Sequence, residues 1–378
     1  MLIDEQEIAA KTAPGLYAAL AEPDVLGFER RGAEALCGLF REHGQPGFLV
    51  AGDLGGNGAR LSDLAHVLRF VGARCPSLAI MMTMHHHTVA GFTRGGIGIG
   101  AGKAFLERVA RERALVASAF AEGRPGSDVL DSTVRCARLD GGAQFAVTGA
   151  KKPCSMAHFA DYALVGVALE LEDDAHSRGM ALVDTKLEGV RGGRFWPAEI
   201  LASADSNVLI LDGVTVGADC VLGPRDASRA AMRERFAVAH AEIALSCLFQ
   251  VLVSATYLGM ASRLCELVLQ RRGGTPAQRL DILAPLETAA MAVYRLAETL
   301  EERDFSPQLL AHCVLVSHDT AARVERVVDE CVKALGGSGF LGSPEVQYLV
   351  LASRCLAFHP PSNAAKHEIV DGCYTDMV

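Results

Sequence analysis

The stretch AFAEGRPGSDVLDSTVRCARLDGGAQFAVTGAKKPCSMAHFADYALV (residues 119–165) decides the fold of this chain. It contains runs in which apolar and polar residues alternate, such as STVRCARL (132–139), followed by the turn DGG (140–142). Alternation with a period of two, broken by Asp/Gly turns, is typical of half-buried antiparallel strands. The alternation recurs in three further runs: AQFAVTGA (143–150), YALVGVAL (162–169) and MALVDT (180–185). We therefore predict an antiparallel β-domain over residues 113–225.

Helical periodicity appears on both sides of this β-domain. On the amino-terminal side, LSDLAHVLRFVGA (61–73) places apolar residues on one helical face, and Cys75-Pro76 closes that helix. On the carboxyl-terminal side, the periodicity predicts three long helices: 228–272, 277–303 and 307–335. Gly336-Gly337 ends the last of them, because glycine weakens a helix. The prediction is therefore a helical domain over 1–112, the β-domain, and a helical bundle over 226–378.

The composition is that of a globular protein that does not bind nucleic acid. The chain has 378 residues, of which 50% are hydrophobic and 21% are charged, and this balance excludes a disordered protein. Lys and Arg number 36 against 45 Asp and Glu, and the net charge of −9 opposes binding to a polyphosphate backbone. The 11 cysteines are scattered without a CxxC pair, which predicts free thiols in a cytoplasmic protein.

One apolar stretch is long enough to cross a membrane. Residues 243–262 contain no charged side chain. A charged helical pattern continues directly after them through Arg263 and Glu266, so we predict the buried central helix of a bundle. The amino terminus MLIDEQE (1–7) is acidic where a signal peptide is basic. We therefore expect a soluble protein without a membrane partner.

Several common motifs are excluded by their spacing. RGGIGIGAGK (94–103) does not have the spacing of a phosphate-binding loop and is predicted to connect two helices. His85-His86-His87 lie in a helical segment, where adjacent residues point about 100° apart and cannot share a metal ion. We predict one buried histidine, two on wetter faces, and no metal site. The GxSxG motif of serine hydrolases is absent from the sequence.

Segments spread over nearly the whole chain resemble acyl-CoA dehydrogenases in order and spacing. The stretch 119–165 is similar to the part of that family's β-domain that wraps the flavin. Three further segments carry the resemblance: GFLVAGDLGGNGARLSD (47–63), EILASADSNVLILDGVTVGADCVLG (199–223) and ECVKALGGSGF (330–340). The resemblance implies an α+β, acyl-CoA dehydrogenase-like fold with an N-terminal helical domain, a middle antiparallel β-domain and a C-terminal four-helix bundle. It also implies FAD or FMN as the cofactor.

The resemblance assigns flavin contacts to particular residues. The implied cofactor-binding residues are Ala121, Gly126, Ser127, Ser155, Gly336 and Gly337. Ser155 stands where a short hydroxyl reaches the central nitrogen of the flavin, and Ala121 replaces a threonine that the family usually has. Family members usually assemble as dimers of dimers, in which Gly336 and Gly337 would meet a neighbour's cofactor. We therefore expect a homo-oligomer, either a dimer or a tetramer.

The catalytic carboxylate of acyl-CoA dehydrogenases is missing from this sequence. The position of the usual glutamate holds His359, in LAFHPPSNAAKHE (356–368). The other positions at which family members carry the base hold Phe249 and Gln250. Neither a phenyl ring nor an amide can accept a proton at neutral pH. The usual removal of a proton from the α-carbon of an acyl thioester is therefore in doubt.

The same departures are similar to a second branch of this fold, the two-component flavin-dependent monooxygenases such as dibenzothiophene monooxygenase. The matching segments are SLAIMMTMH (77–85), PCS (153–155) and RCLAFHPP (354–361), with proline replacing an aspartate after the last histidine. This resemblance implies that His359, His85 and Ser155 are catalytic, with the two histidines flanking the flavin. Imidazoles can donate hydrogen bonds to developing oxygen charge, whereas a carboxylate would repel it.

Three functions remain open on the sequence. The first and favoured one is a flavin-dependent monooxygenase that takes reduced flavin from a separate reductase and uses O₂ on an organic or carrier-bound small molecule. The second is an acyl-CoA or acyl-carrier-protein dehydrogenase, or a redox-neutral variant, with His359 as the base. The third is a catalytically inactive family member that acts as a partner. The sequence does not identify the substrate and does not decide between FMN and FAD.

Overall fold

The amino-terminal part of the chain is helical. The computed structural model describes residues 3–124, 128–170, 176–224 and 229–375. The helices before the sheet are α1 (Ile3–Thr12), α2 (Pro14–Ala19), α3 (Val25–Glu29), α4 (Ala33–His43), α5 (Leu61–Gly72), α6 (Pro76–Thr93) and α7 (Gly102–Arg111). Pro76 separates α5 from α6 as predicted, because proline is favoured in the first turn of a helix and disfavoured in its interior. The glycine-rich run 94–103 connects α6 to α7, which confirms that prediction.

The middle of the chain forms one sheet. Its strands are β1 (Val116–Ala119), β2 (Arg135–Leu139), β3 (Gln144–Cys154), β4 (Tyr162–Glu170), β5 (His176–Asp184), β6 (Val190–Gly193), β7 (Asn207–Gly217) and β8 (Val221–Leu222). The strand order is β6-β7-β3-β2-β4-β5-β8, and β1 also pairs with β4. Five of the seven pairs formed by the described strands are antiparallel, as predicted, whereas β4 pairs in parallel with both β1 and β2. The sheet is therefore mixed.

Helices return after the sheet. They are α8 (Arg229–Gln270), α9 (Pro276–Glu302), α10 (Pro307–Leu341), α11 (Pro344–Arg354) and α12 (Asn363–Tyr374). The predicted break at Gly336 is present, since Gly336 has φ of +69° and bends α10 before its last turn. The three long helices α8, α9 and α10 pack on one another, and α5 from the amino-terminal part packs on α8 and α9. The bundle is therefore shared between the two ends of the chain.

Helix α8 runs through the middle of this bundle. Met232–Gln270 is long and apolar enough to cross a membrane, but 67% of its most apolar window is buried by the rest of the protein. It contacts α5, α6, α9, α10 and α11, as expected of a central helix. Helices α5 and α8 cross closely at Gly72 and Gly259. A Cβ on Gly259 would overlap the carbonyl oxygen of Arg69, so glycine permits this crossing.

A buried ion network fixes the same crossing. The Arg69 side chain is almost fully buried, with Nη1 2.7 Å from Glu5 and Nη2 2.7 Å from Glu287. Its Nε donates to the hydroxyl of Ser262 at 2.9 Å. A buried guanidinium is stable only when its donors are paired, so this network fixes the packing of α1, α5, α8 and α9.

Candidate active site

A cavity of about 740 Å³ lies where the sheet meets α6 and α8. Met84 and His87 of α6, Phe249 of α8 and Trp196 of the β6–β7 connection line it. The segment 355–365, between α11 and the start of α12, closes one end. A mostly apolar cavity with a few convergent polar groups is the usual form of a small-molecule site. Three of its polar groups are serine hydroxyls on the sheet side, those of Ser118, Ser155 and Ser206.

The structure places His85 in the core and not on the cavity surface. Its Nε2 lies 2.9 Å from the carbonyl oxygen of Pro46, and its Nδ1 accepts the backbone N–H of Val116 at 3.1 Å. Burial lowers the pKa of His85 to about 4, so the ring is neutral at pH 7. Both ring nitrogens are therefore used to join α6 to β1 and to the loop before α5.

The two neighbouring histidines are buried as well. His86 contacts the rings of Phe40 and Phe48, and neither of its nitrogens has a hydrogen-bond partner among the described residues. His87 is 4% exposed and lines the cavity. The prediction of two histidines on wetter faces is wrong, because α4, α8 and β1 enclose this part of α6. His87, and not His85, is the histidine of α6 that meets the cavity.

His87 forms a polar pair with Ser118 of β1. The Nε2 atom of His87 lies 3.2 Å from the Ser118 hydroxyl oxygen, and its Nδ1 lies 3.1 Å from the carbonyl oxygen of Thr83. Burial lowers the pKa of His87 to about 4. The Phe249 ring packs against this imidazole in a T-shaped arrangement, with ring centroids 5.4 Å apart. This pair forms one wall of the cavity.

His359 forms a second wall of the cavity, and the sequence predicted that this residue lies at the site. Its Nε2 lies 2.9 Å from the hydroxyl of Tyr257 on α8, and its ring packs 5.7 Å from that of Phe249. Burial first, and then the nearby Lys366 cation, lowers the pKa of His359 to about 4. Gln250 holds the same segment by donating to the carbonyl oxygen of Pro360 at 2.9 Å.

Ser155 and Ala121 also lie at the cavity. Ser155 directly follows β3, is 7% exposed, and has its hydroxyl 2.9 Å from that of Ser206. The carbonyl oxygen of Ala121 accepts the backbone N–H of Lys152 at 2.8 Å, which fixes the segment before the turn. Two serine hydroxyls that satisfy each other still have lone pairs left for a ligand.

The other proposed flavin contacts lie elsewhere. Gly126 and Ser127 lie outside the described residues. Gly336 and Gly337 lie at the bend of α10 and do not line the cavity. Their predicted contact with a neighbour's cofactor stays a prediction.

An ion pair that sequence reasoning missed fixes the turn beside the cavity. Lys151 is fully buried, and its Nζ donates to Glu122 at 2.8 Å and to the carbonyl oxygen of Phe120 at 3.1 Å. Burial alone would raise the pKa of Glu122, but hydrogen bonds from Lys151 and Thr133 lower it to about 2. Glu122 is therefore an anion held by its partners and is not a catalytic base. It holds the segment that carries Ala121 in place.

Helical spacing is the signal that could have identified the missed cavity residues. Ile80, Met84 and His87 recur at intervals of four and three, which traces one face of α6. Gln250 and Tyr257 are seven apart on α8 and likewise share a face. For Ser118 and Ser206 the sequence carries no comparable signal, because each meets the cavity only through the folding of the sheet.

The residues of the cavity fit a flavin. The isoalloxazine ring is flat and apolar, with nitrogen and oxygen atoms along one edge. The cavity offers apolar surface on α6 and α8 and serine hydroxyls on the sheet side, and its volume is within the usual range for a bound small molecule. Ser155 and Ser206 would hold the polar edge of the ring.

The comparisons with known proteins agree with this fit. Isobutylamine N-hydroxylase of Streptomyces viridifaciens is 33% identical over 358 residues, which cover 93% of this chain and 92% of that protein. The mitochondrial very long-chain specific acyl-CoA dehydrogenase of Rattus norvegicus is 26% identical over 332 residues, 83% of this chain but only 49% of that protein. FMN-bound TdsC of Paenibacillus sp. A11-2, a dibenzothiophene monooxygenase, has a TM-score of 0.81 at 19% identity and covers 99% of this chain and 98% of its own. No protein-family model matches the chain.

These relationships confirm two predictions from the sequence. The acyl-CoA dehydrogenase-like fold is confirmed by the structural likeness to butyryl-CoA dehydrogenase of Megasphaera elsdenii, which has a TM-score of 0.79 at 16% identity and covers 99% of this chain and 98% of its own. The N-hydroxylase relative confirms a flavin-dependent oxidoreductase and favours monooxygenation over desaturation of an acyl thioester. The chain therefore belongs to the acyl-CoA dehydrogenase superfamily of flavin-dependent oxidoreductases, in the family of isobutylamine N-hydroxylase.

Proposed function

We propose that this protein is a flavin-dependent monooxygenase that N-hydroxylates a small primary amine. One observation carries the choice of monooxygenation: α8 and the segment 355–365 contribute Phe249, Gln250, Tyr257 and His359 to the cavity and no carboxylate. A desaturase needs a base that removes a proton from carbon, and a carboxylate does this in the related dehydrogenases. Neutral groups instead suit a reaction in which negative charge develops on oxygen.

The overall reaction balances with reduced flavin and O₂ as the co-substrates. One amine R–NH₂, one O₂ and one reduced flavin (FlH₂) give R–NHOH, one water and one oxidised flavin. O₂ takes up four electrons in total: two come from the amine nitrogen, which is oxidised, and two come from the reduced flavin. When bound, the reduced flavin supplies those two electrons and activates O₂.

His359 is proposed as the hydrogen-bond donor to the reacting oxygen. Burial raises the pKa of Tyr257 well above its usual value, so the phenol keeps its hydrogen. Among the described residues Tyr257 has no hydrogen-bond partner other than Nε2 of His359, and we propose that the phenol donates its hydrogen to that atom. The neutral ring then carries its hydrogen on Nδ1. This N–H can donate a hydrogen bond to the oxygen on which negative charge develops.

Ser155 and the helix α6 are proposed to position the cofactor. Ser155, supported by Ser206, holds the nitrogen edge of the ring. His87 takes the position beside the cavity that sequence reasoning gave to His85. The apolar surfaces of Met84 and Phe249 keep water away from the reacting oxygen, which limits loss of oxygen as H₂O₂.

The remaining elements of the proposal concern partners. Ala121, Gly126 and Ser127 contact the flavin, and Gly336 and Gly337 contact the flavin of a neighbouring copy in a homo-oligomer, a dimer or a tetramer. A separate flavin reductase supplies the reduced cofactor, and the protein acts in the cytoplasm. The exposed apolar side chains of Met232, Phe236 and Leu341 support assembly, because such surfaces are usually covered.

The test is a single-turnover experiment with isobutylamine as the probe. The protein is mixed anaerobically with reduced FMN or reduced FAD and the amine, and ¹⁸O₂ is then admitted. We expect N-isobutylhydroxylamine that carries one ¹⁸O, measured by mass spectrometry, with little H₂O₂. Reduction of bound oxidised flavin by an acyl thioester without O₂ would contradict the proposal in favour of a dehydrogenase. Release of all the oxygen as H₂O₂ with a panel of amines would contradict it in favour of an inactive family member.

A further inference from the structure

Two neighbours fix the position of the hydrogen on the His87 ring. Its Nδ1 lies 3.1 Å from the carbonyl oxygen of Thr83, one turn earlier in α6. A carbonyl oxygen can only accept a hydrogen bond, so Nδ1 carries the hydrogen. Because His87 is 4% exposed and its pKa is about 4, the ring is neutral at pH 7. Its Nε2 therefore has a lone pair and no hydrogen.

The ring in turn fixes the hydroxyl of Ser118. Ser118 Oγ lies 3.2 Å from Nε2 of His87, and since Nε2 can only accept, the hydroxyl donates its hydrogen to the ring. A hydroxyl has one hydrogen and two lone pairs, so Ser118 can now only accept further hydrogen bonds. Ser118 is half-buried and lines the cavity. The pair therefore presents a fixed acceptor to whatever molecule occupies the cavity.

No charge on this wall favours an ammonium ion. The acidic residues that line the cavity, within the part of the chain that the structure describes, are Glu122, Asp128 and Asp131. All three come from the segment that connects β1 to β2. Glu122 is paired with Lys151, and Asp131 is 2.6 Å from Arg178. The wall made by α6, β1 and α8 offers neutral imidazole, hydroxyl and apolar groups.

We infer that Ser118, held by His87, accepts a hydrogen bond from the N–H of the amine substrate, which is bound as the neutral free base. This inference rests on the proposed N-hydroxylation and names the group that recognises the substrate. A neutral primary amine has two hydrogens and one lone pair. When Ser118 holds an N–H, the lone pair remains available to take up oxygen, whereas an ammonium ion has no lone pair to react. Phe249, packed against His87, provides apolar surface for the alkyl group.

Binding to the full-length resting protein tests the inference without turnover. Isobutylamine is titrated at pH 9 into wild type, Ser118→Ala and Ser118→Thr, and the affinity is measured by calorimetry. We expect Ser118→Ala to weaken binding about tenfold, because one hydrogen bond is lost. Ser118→Thr keeps the hydroxyl and should bind within about twofold of wild type. Ser254→Ala removes a buried serine hydroxyl that does not line the cavity, and it should leave affinity unchanged.

A second ligand isolates the N–H group. The neutral form of N,N-dimethylisobutylamine has no N–H, so Ser118→Ala should not weaken its binding relative to wild type. Equal loss of affinity for both amines would overturn the inference, because the serine would then act through cavity shape alone. Equal binding of isobutylamine by wild type and Ser118→Ala would also overturn it. Neither result would bear on the proposed N-hydroxylation, because the ¹⁸O₂ experiment tests that proposal separately.

The hydrogen position on His87 can be measured directly. In the ¹⁵N-histidine-labelled protein, long-range ¹H–¹⁵N spectra distinguish a ring that carries hydrogen on Nδ1 from one that carries it on Nε2. The signal that disappears in His87→Phe identifies the residue. We expect the Nδ1–H form at pH 7. The Nε2–H form would overturn the inference, because Nε2 would then donate to Ser118 Oγ and leave the serine hydrogen free to donate to the cavity, so Ser118 would not be a fixed acceptor.

Discussion

The two walls of the cavity carry the same side chain in two different settings. The rings of His87 and His359 both pack against Phe249, with ring centroids 5.4 and 5.7 Å from it, and burial lowers the pKa of each to about 4. His87 lies on a helix with both nitrogens bonded, to Thr83 and Ser118. His359 lies in a short connection, and among the residues that the structure describes only its Nε2 has a hydrogen-bond partner, the hydroxyl of Tyr257.

The difference in hydrogen bonding predicts different roles for two imidazoles of similar pKa. A ring with both nitrogens satisfied has no donor left and acts on the substrate only through its partner. A ring with one free N–H can serve the reacting oxygen itself. We therefore expect substitution of His359 to change how much oxygen ends in the hydroxylamine and how much in H₂O₂. Substitution of His87 or Ser118 should instead weaken the binding of the amine.

The largest expected effect follows removal of the free N–H. In His359→Ala, the rate of hydroxylamine formation should fall about 100-fold, as it does when one donor to a developing oxyanion is removed. O₂ should still be consumed, and H₂O₂ should replace the hydroxylamine. The measurement is the ratio of the two products in the single-turnover experiment.

His367→Ala is the matched control for this variant. His367 is exposed on α12 and does not line the cavity. The ratio of hydroxylamine to H₂O₂ in His367→Ala should therefore equal that of wild type. An unchanged ratio of hydroxylamine to H₂O₂ in His359→Ala would contradict the proposal that His359 acts on the reacting oxygen.

A smaller effect should follow from freeing the His359 ring. Tyr257→Phe removes the phenol that donates to Nε2, so the ring can carry its hydrogen on either nitrogen. We expect about a fivefold fall in the ratio of hydroxylamine to H₂O₂. Long-range ¹H–¹⁵N spectra should show His359 change from one ring form to a mixture. A role for Tyr257 in packing alone would lower the thermal stability and leave the ring form unchanged.

Tyr17→Phe is the control for removing a phenol hydroxyl. Tyr17 packs on Phe70 in the amino-terminal part and does not line the cavity. Its product ratio and the His359 ring form should both match wild type.

Periodicity in the sequence was enough to predict most of the fold. The order of helices, sheet and helices follows from it, and so does the burial of α8. The parallel pairing of β1 and β2 with β4 could not be predicted, because alternation shows that a segment is a strand but not which strand lies beside it. The choice of partner depends on contacts far apart in the chain.

The sequence predicted only those site residues that a short pattern along the chain could identify. Ser155 and His359 were identified from short sequence patterns, and both line the cavity. His85 was identified in the same way, but the pattern could not resolve which of three adjacent histidines points into the cavity. Two residues along a helix correspond to a rotation of about 200°, so His87 lies on nearly the opposite face from His85. Its partner Ser118 comes from another strand and could be found only in three dimensions.

His86 extends the comparison to a histidine that has no hydrogen-bond partner among the described residues. Burial lowers its pKa well below the usual value, so it stays neutral in the folded protein. The unfolded chain takes up that proton below about pH 6.5, so acid favours unfolding by about 1.4 kcal/mol per pH unit. His86→Leu should remove this share of the acid sensitivity and change the product ratio less than twofold.

Urea unfolding at pH 7.5, 6.0 and 5.0 measures this effect. His86→Leu should lose less stability than wild type between pH 6.0 and 5.0, because one fewer proton is taken up on unfolding. His85→Leu should flatten the curve similarly but should cost about 2 kcal/mol at every pH, because the backbone groups of Pro46 and Val116 lose their buried partner. Parallel curves for wild type and His86→Leu would show that His86 accepts its proton in the folded state. Burial would then not be enough to keep an imidazole neutral in α6, and the neutrality of His87 would have to come from its bond to Ser118.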